Sequence, residues 1–206
     1  MEEENACPSI WTLDKSEISS SVKIDSSGLM LETWNANAVN SIVLSQTGLV
    51  GDFEVTIDLL GLEWDSLAYP QFRLEIFDES NAEFPLSGVA LNNEAVYCYV
   101  GSSPDSRDMR IVNQFSGLLK IKRTQGQIEC SATLGDVGLT FPTDIPEQDV
   151  SVRLVLGSTS ASVGRAAARI AYFEANDDSE NNTGPSSSTS LPTSGVASDY
   201  FTCETW

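Results

Sequence analysis

Three aromatic groupings in this sequence carry the side chains best suited to holding a ligand. Trp34 is followed by Asn35, Asn37 and Asn40; Trp64 stands beside Asp65, with Tyr69 close behind; Tyr97 and Tyr99 flank Cys98. Aromatic faces stack on the apolar side of a pyranose ring, and amide or carboxylate groups orient its hydroxyls, so sugar binding is the chemistry these sets would do. The competing reading is structural, with Trp11 and Trp34 in a core and the two tyrosines packed under a loop. Catalysis is poorly supplied. The chain has no histidine, which removes Ser-His-Asp and Cys-His nucleophilic catalysis and every His-ligated metal site.

The four cysteines, Cys7, Cys98, Cys130 and Cys203, show no C-x-x-C spacing, which disfavours zinc and dithiol redox chemistry. An even count fits two bridges but leaves the pairing open, and Cys98 and Cys130 also read as small core hydrophobes inside strand-like runs. The opening Met1-Glu2-Glu3-Glu4-Asn5 lacks the basic and apolar stretches of a signal peptide, so either the protein is cytosolic or a leader has been removed. The cysteines and an extracellular-type tail favour a secreted or cell-surface protein. With 30 acidic against 11 basic residues, the net charge of −19 repels nucleic acid and anionic lipid alike. No run approaches the roughly 18 apolar residues that a membrane span needs.

Those side chains must be positioned by strands. In 51–60, Phe53, Val55, Ile57 and Leu59 alternate with Glu54, Thr56 and Asp58, the two-residue period of a half-buried strand. Phe72, Leu74 and Ile76 alternate with Arg73 and Glu75; Val96, Cys98 and Val100 share one face, and Tyr97 and Tyr99 the other. Residues 118–134 read as a hairpin turning at Gln125-Gly126, and 22–34 as another turning at Ser26-Ser27-Gly28. Val150–Leu156 and 167–175 supply two late strands, although Ala166–Ala168 alone would also suit a helical turn. About ten short strands and no convincing amphipathic helix predict an all-β, two-sheet antiparallel jelly-roll sandwich. Its 206 residues, 41% of them apolar, suit one such domain over 9–175, after a short N-terminal segment (1–8). Residues 176–206 form an acidic, Ser/Thr/Gly/Pro-rich tail with a short apolar end, a composition that predicts a flexible spacer. Asn181-Asn182-Thr183 within it is a glycosylation sequon.

The strand order resembles the concanavalin A-like lectin/glucanase superfamily, in particular its laminin G-like branches. The resemblance rests on Gly51–Leu59, on the strand ending Phe77-Asp78, on Leu119–Ile128, on Val152–Ser158 and on the closing 168–175 strand. It implies a sandwich with a sheet face for ligands, and more about fold than about activity. If Cys98 points inward, Tyr97 and Tyr99 lie on the opposite face, often the binding face of jelly-roll lectins. The resemblance also implies Ca²⁺ at a rim, for which Asp52, Asp78, Asp105 and Asp108 are the candidate oxygen ligands. A loop ion pair around Arg107–Arg110 is the plainer reading of Asp108.

The family's glucanase members carry alternate carboxylates on one strand, an E-x-D-x-E pattern. Here Glu63-Trp64-Asp65 is followed at the next alternate position by Leu67, and Phe77 stands between Glu75 and Glu79. That motif is absent, and its carboxylates read as solvated strand and loop groups, leaving an unrecognised glycoside hydrolase as a third choice. The first choice is a non-catalytic module recognising a glycan or cell-surface partner, with candidate contacts Trp34, Asn37, Trp64, Tyr97 and Tyr99. The second is a structural subunit that associates with copies of itself through sheet edges.

Overall fold

The computed structural model describes residues 12–15, 21–25, 28–34, 40–65, 70–78, 81–101, 107–144, 149–158, 164–177 and 189–190. Among these residues there are strands and no helix: β1 (Thr12–Lys15), β2 (Ser21–Asp25), β3 (Gly28–Trp34), β4 (Asn40–Leu49), β5 (Phe53–Asp65), β6 (Pro70–Asp78), β7 (Asn81–Leu91) and β8 (Ala95–Val100). Then come β9 (Arg107–Ile111), β10 (Gly117–Thr124), β11 (Gln127–Leu134), β12 (Val137–Asp144), β13 (Val150–Ser158), β14 (Arg165–Asp177) and β15 (Thr189–Ser190). They form two antiparallel sheets. Sheet A runs β1-β4-β13-β6-β7-β8-β9, and sheet B runs β12-β11-β10-β5-β14-β3-β2, with β15 pairing β14. The expected all-β jelly-roll sandwich is the fold found. Ala166–Ala168 lie within β14 as strand.

The alternating pattern does the work that it predicts. Phe53, Val55, Ile57 and Leu59 of sheet B meet Phe72, Leu74 and Ile76 of sheet A in one buried cluster. The late strands β13 and β14 enter the middles of the two sheets, beside β4 and β6 and beside β3 and β5. The Gln125-Gly126 turn has positive φ at both residues (51° and 78°), the conformation that a two-residue hairpin requires. β2 and β3 pair from Asp25↔Gly28 onward, and Ser26 and Ser27 of the expected turn lie outside the described residues.

Four stretches that the pattern does not reveal are also strands: β1, β7, β9 and β12. A bulge in β5 is likewise new. Ile170 pairs Leu59 while Arg169 pairs Gly61, so Leu60 is an extra residue, and the side-chain parity reverses beyond it. Leu62 and Trp64 therefore pack against the core, and Leu60 is left 46% exposed. The sandwich also extends past residue 175: β14 continues to Asp177, and Thr189–Ser190 pair with Ala175 and Glu174.

Cys98 on β8 and Cys130 on β11 form a disulfide, with Cα atoms 5.8 Å apart, and both are buried. The bridge joins sheet A to sheet B. Closing a loop with a sequence separation of 32 contributes about 4 kcal/mol on the chain-entropy account. Cys7 and Cys203 lie outside the described residues. No helix among the described residues is long and apolar enough to cross a membrane.

Candidate functional site: the outer face of sheet A

With Val96 and Cys98 buried in the core, strand parity turns Tyr97 and Tyr99 to the outer face of sheet A. The strands beside β8 decide what these rings meet. Gly88 of β7 pairs with both Tyr99 and Glu75, and Glu75 of β6 pairs with Arg153 of β13. One row across the face therefore reads Tyr99, Gly88, Glu75, Arg153. The next reads Tyr97, Ala90, Arg73, Val155. At a strand spacing of about 4.8 Å each row spans about 14 Å, the length of an oligosaccharide segment rather than of a single sugar.

Gly88 on β7 leaves room for the Tyr99 ring. Tyr99 reaches across Gly88 and donates to Glu75 Oε1 at 2.5 Å. A Cβ on Gly88 would stand 2.5 Å from the Tyr99 hydroxyl oxygen and 3.0 Å from the Leu74 carbonyl oxygen, so no larger residue fits beneath the ring. Tyr97 accepts a hydrogen bond from Gln71 Nε2 at 3.0 Å. The two rings sit 5.9 Å apart, tilted by 42°. Both are half-buried, and Met109, the register partner of Tyr97 on β9, is 51% exposed.

Glu75 is the hub. Its side chain is 1% exposed; Oε1 accepts from Arg73 Nη1 at 3.2 Å and Oε2 from Arg153 Nε at 2.6 Å. The Arg153 guanidinium also lies 5.0 Å from the centre of the Phe77 ring. Burial, then the charge of Glu75 and the hydrogen bond to it, hold the Tyr99 phenol protonated well above its ordinary 10.0. The result is a packed polar platform, not a pit. Two hollows among the described residues, of about 620 and 300 Å³, lie on sheet B instead. The first is bordered by Lys122, Gln127, Glu129 and Asp144, solvated side chains that fix no orientation for a ligand.

The other candidate residues are not gathered here. Trp64 packs against the core, and its buried indole Nε1 has no hydrogen-bond partner. The side chain of Trp34, and Asn37 altogether, lie outside the described residues, as do Asn35 and Tyr69. Asp52 Oδ1 accepts from the Gln125 backbone N–H at 2.7 Å and so caps the β10–β11 turn. Asp108 pairs with Arg110 at 2.5 Å on β9, a strand rather than a loop. Asp78 ends β6 opposite Val150; Asp105 lies outside the described residues. No group of three or more potential ligands that could hold a metal ion is found among the described residues.

Two expectations change. Glu75, taken as a solvated carboxylate, is buried between two arginines and a phenol, because its cross-strand partner is Arg153. Gln71, Arg73 and Arg153 were no part of the expected site. The signal for the first two lay in 71–75, where alternate residues are Gln, Arg and Glu, a polar series facing out from what proves to be a central strand.

No family model and no curated relative matches the chain. Solved structures do. A functionally unknown protein from Saccharomyces cerevisiae superposes with a TM-score of 0.57 at 10% identity, over 82% of this chain and 98% of that one. The marine PL7 alginate lyase from Zobellia galactanivorans gives 0.54 at 10% identity, over 78% and 81%. The legume lectin-like domain from Entamoeba histolytica gives 0.53 at 9% identity, over 81% and 89%. At such identities the likeness is one of fold. The fold is a concanavalin A-like jelly-roll sandwich, an architecture shared by lectin-like domains and alginate lyases.

Proposed function

We propose that this chain is a non-catalytic, exported glycan-recognition module whose binding face is the outer face of sheet A. The observation that carries the reading is the Tyr97–Tyr99 pair, with Tyr99 crossing Gly88, beside the polar groups of Gln71, Arg73, Glu75 and Arg153. Stacking rings next to fixed donors and acceptors are what a sugar site needs. The lectin-like and alginate lyase neighbours support a carbohydrate-related role, and the inter-sheet disulfide supports an oxidising compartment.

A glycan array, run with and without calcium beside a Tyr97→Ala/Tyr99→Ala double variant, tests the reading. Binding that the folded variant loses is the expected result; silence of the folded wild type across the array would refute it. A second reading, association with a protein partner or with copies of itself, is favoured by the apolar end of the edge strand β9, where Met109 is 51% and Ile111 79% exposed. Light scattering across a concentration series reads self-association directly.

A further inference from the structure

β9 ends sheet A and β12 ends sheet B, and the two edge strands lie against each other on one side of the sandwich. Among the described residues β9 pairs with β8 alone, so half of its backbone groups face away from the ladder. Which half follows from the register. The Val112 N–H, in line with β9, donates to the Glu94 carbonyl at 3.0 Å. Arg110 and Asp108 therefore also turn their backbone groups to β8, and Met109 between them turns its own outward. An outward N–H and C=O on an edge strand are a template for an added strand. At Met109 both are already taken. Its N–H donates to Asp108 Oδ1 at 2.9 Å, and its carbonyl accepts from Arg110 Nη1 at 2.9 Å. The same Arg110 nitrogen donates to the same Asp108 oxygen at 2.5 Å, which closes the set.

We propose that the Asp108–Arg110 pair is a guard on this edge: it occupies the backbone groups of Met109 and keeps a second copy of the chain from adding a strand to sheet A. The register puts both residues where a core strand would carry apolar side chains. Asp108 stands opposite Cys98 and Arg110 opposite Val96, on the side that Cys98 and Val96 turn to the core. Their side chains are nevertheless 33% and 50% exposed, because they curl round the edge. Charged residues at the inward positions of an edge strand are a known means of blocking strand addition. A pair so exposed contributes little to folding, so stability does not account for it. Met109 and Ile111, 51% and 79% exposed, are the apolar side chains that an added copy would cover. β12 is blocked by other means, since it carries Pro142, which has no N–H to offer a new ladder. The guard goes beyond the glycan reading and stands without it. It also bears on the association reading: a wild-type contact at β9 goes through side chains, not through the backbone.

Light scattering over micromolar to millimolar concentrations tests it on Asp108→Ala/Arg110→Ala, which removes one charge of each sign and so leaves the net charge at −19. Relative to the wild type, this variant should at least double its apparent mass. Met109→Pro added to it should reverse the gain, because proline offers no N–H to a new ladder and the one it replaces makes no bond to β8. Asp108→Asn/Arg110→Gln, whose amides can still cap Met109, should behave as the wild type does. Circular dichroism checks that each variant is folded. A folded alanine variant with the wild-type mass overturns the proposal. So does a gain that Met109→Pro leaves untouched, or an asparagine/glutamine variant that associates as strongly as the alanine one. The wild type alone supplies a reading that no folding defect can blur. Its Met109 amide, although on an open edge, should exchange with solvent at least about fivefold more slowly than an unstructured amide, the scale of one hydrogen bond. An unprotected Met109 amide overturns the guard.

Discussion

The outer faces of sheets A and B are built from the same backbone pattern and carry opposite designs. On sheet B, Lys120 meets Glu54 at 2.7 Å, but the two side chains are 35% and 37% exposed. Such a pair is screened by water and contributes under about 1 kcal/mol. On sheet A, Arg153 meets Glu75 at 2.6 Å with the side chains 15% and 1% exposed. Outward positions around them are closed to solvent: Ala90, Ser151 and Val155 have no exposed surface. Desolvating charges is unfavourable unless they are fully paired, so sheet A gives up stability that sheet B keeps.

The largest expected effect removes the hub. Glu75→Gln removes the buried carboxylate that pairs with both Arg73 and Arg153 and should destabilise the fold by about 3–5 kcal/mol, whereas Glu54→Gln should cost under about 1 kcal/mol. Chemical denaturation of both variants measures the gap, and equal losses would erase the distinction between the faces. A glycine on each face gives the next comparison. Gly88→Ala drives a methyl group into Tyr99 and should cost about 1–3 kcal/mol, with loss of glycan binding. Gly138→Ala, on the exposed face of β12 where an added Cβ meets nothing within 4 Å, should be neutral or stabilising by about 0.5 kcal/mol. Thermal melts separate the two.

The smallest effect is read in pH. Because the folded-state pKa of Tyr99 is raised above 10.0, its contribution to stability is full below that pH. It is lost as the pH rises through the folded value, where the unfolded chain has already released the proton. Wild type should therefore lose stability above about pH 10 faster than Tyr99→Phe, with no difference near neutrality. In absorbance titration one phenol should ionise later than the rest, and Gly88→Ala should bring it back among them. A Tyr99 that titrates normally in wild type would remove the hydrogen bond to Glu75 from the account.

Much of this architecture is legible in the residue pattern, and the gaps have physical causes. β5, β10 and β11 each bury one side, so polar and apolar residues alternate visibly, and β6, β8 and β13 keep enough of the alternation to be read. The strands that escape notice are mostly at edges. β1, β9 and β12 end their paths, and edge positions tolerate exposed Ile111 or Pro142 without a clean period. β7 is interior, but Pro85, Gly88 and Ala90 interrupt its pattern, Gly88 because Tyr99 crosses it. The tyrosine pair follows from parity around Cys98. Its partners do not, because the pairing of Glu75 with Arg153 bridges 78 residues and leaves no local mark.

The bridge between Cys98 and Cys130 has a mechanical meaning as well as an energetic one. Cys98 sits between Tyr97 and Tyr99, so the strand is pinned from inside at the point where its two rings face outward. Tension applied through a surface-bound ligand would pass from the rings into β8 and straight through a covalent link to β11 on the opposite sheet. The hydrogen bonds of β9 and β7 would not have to carry that load alone. Peeling sheet A beyond its edge strand β9 would then require breaking sulfur–sulfur bonding and not only unzipping a ladder.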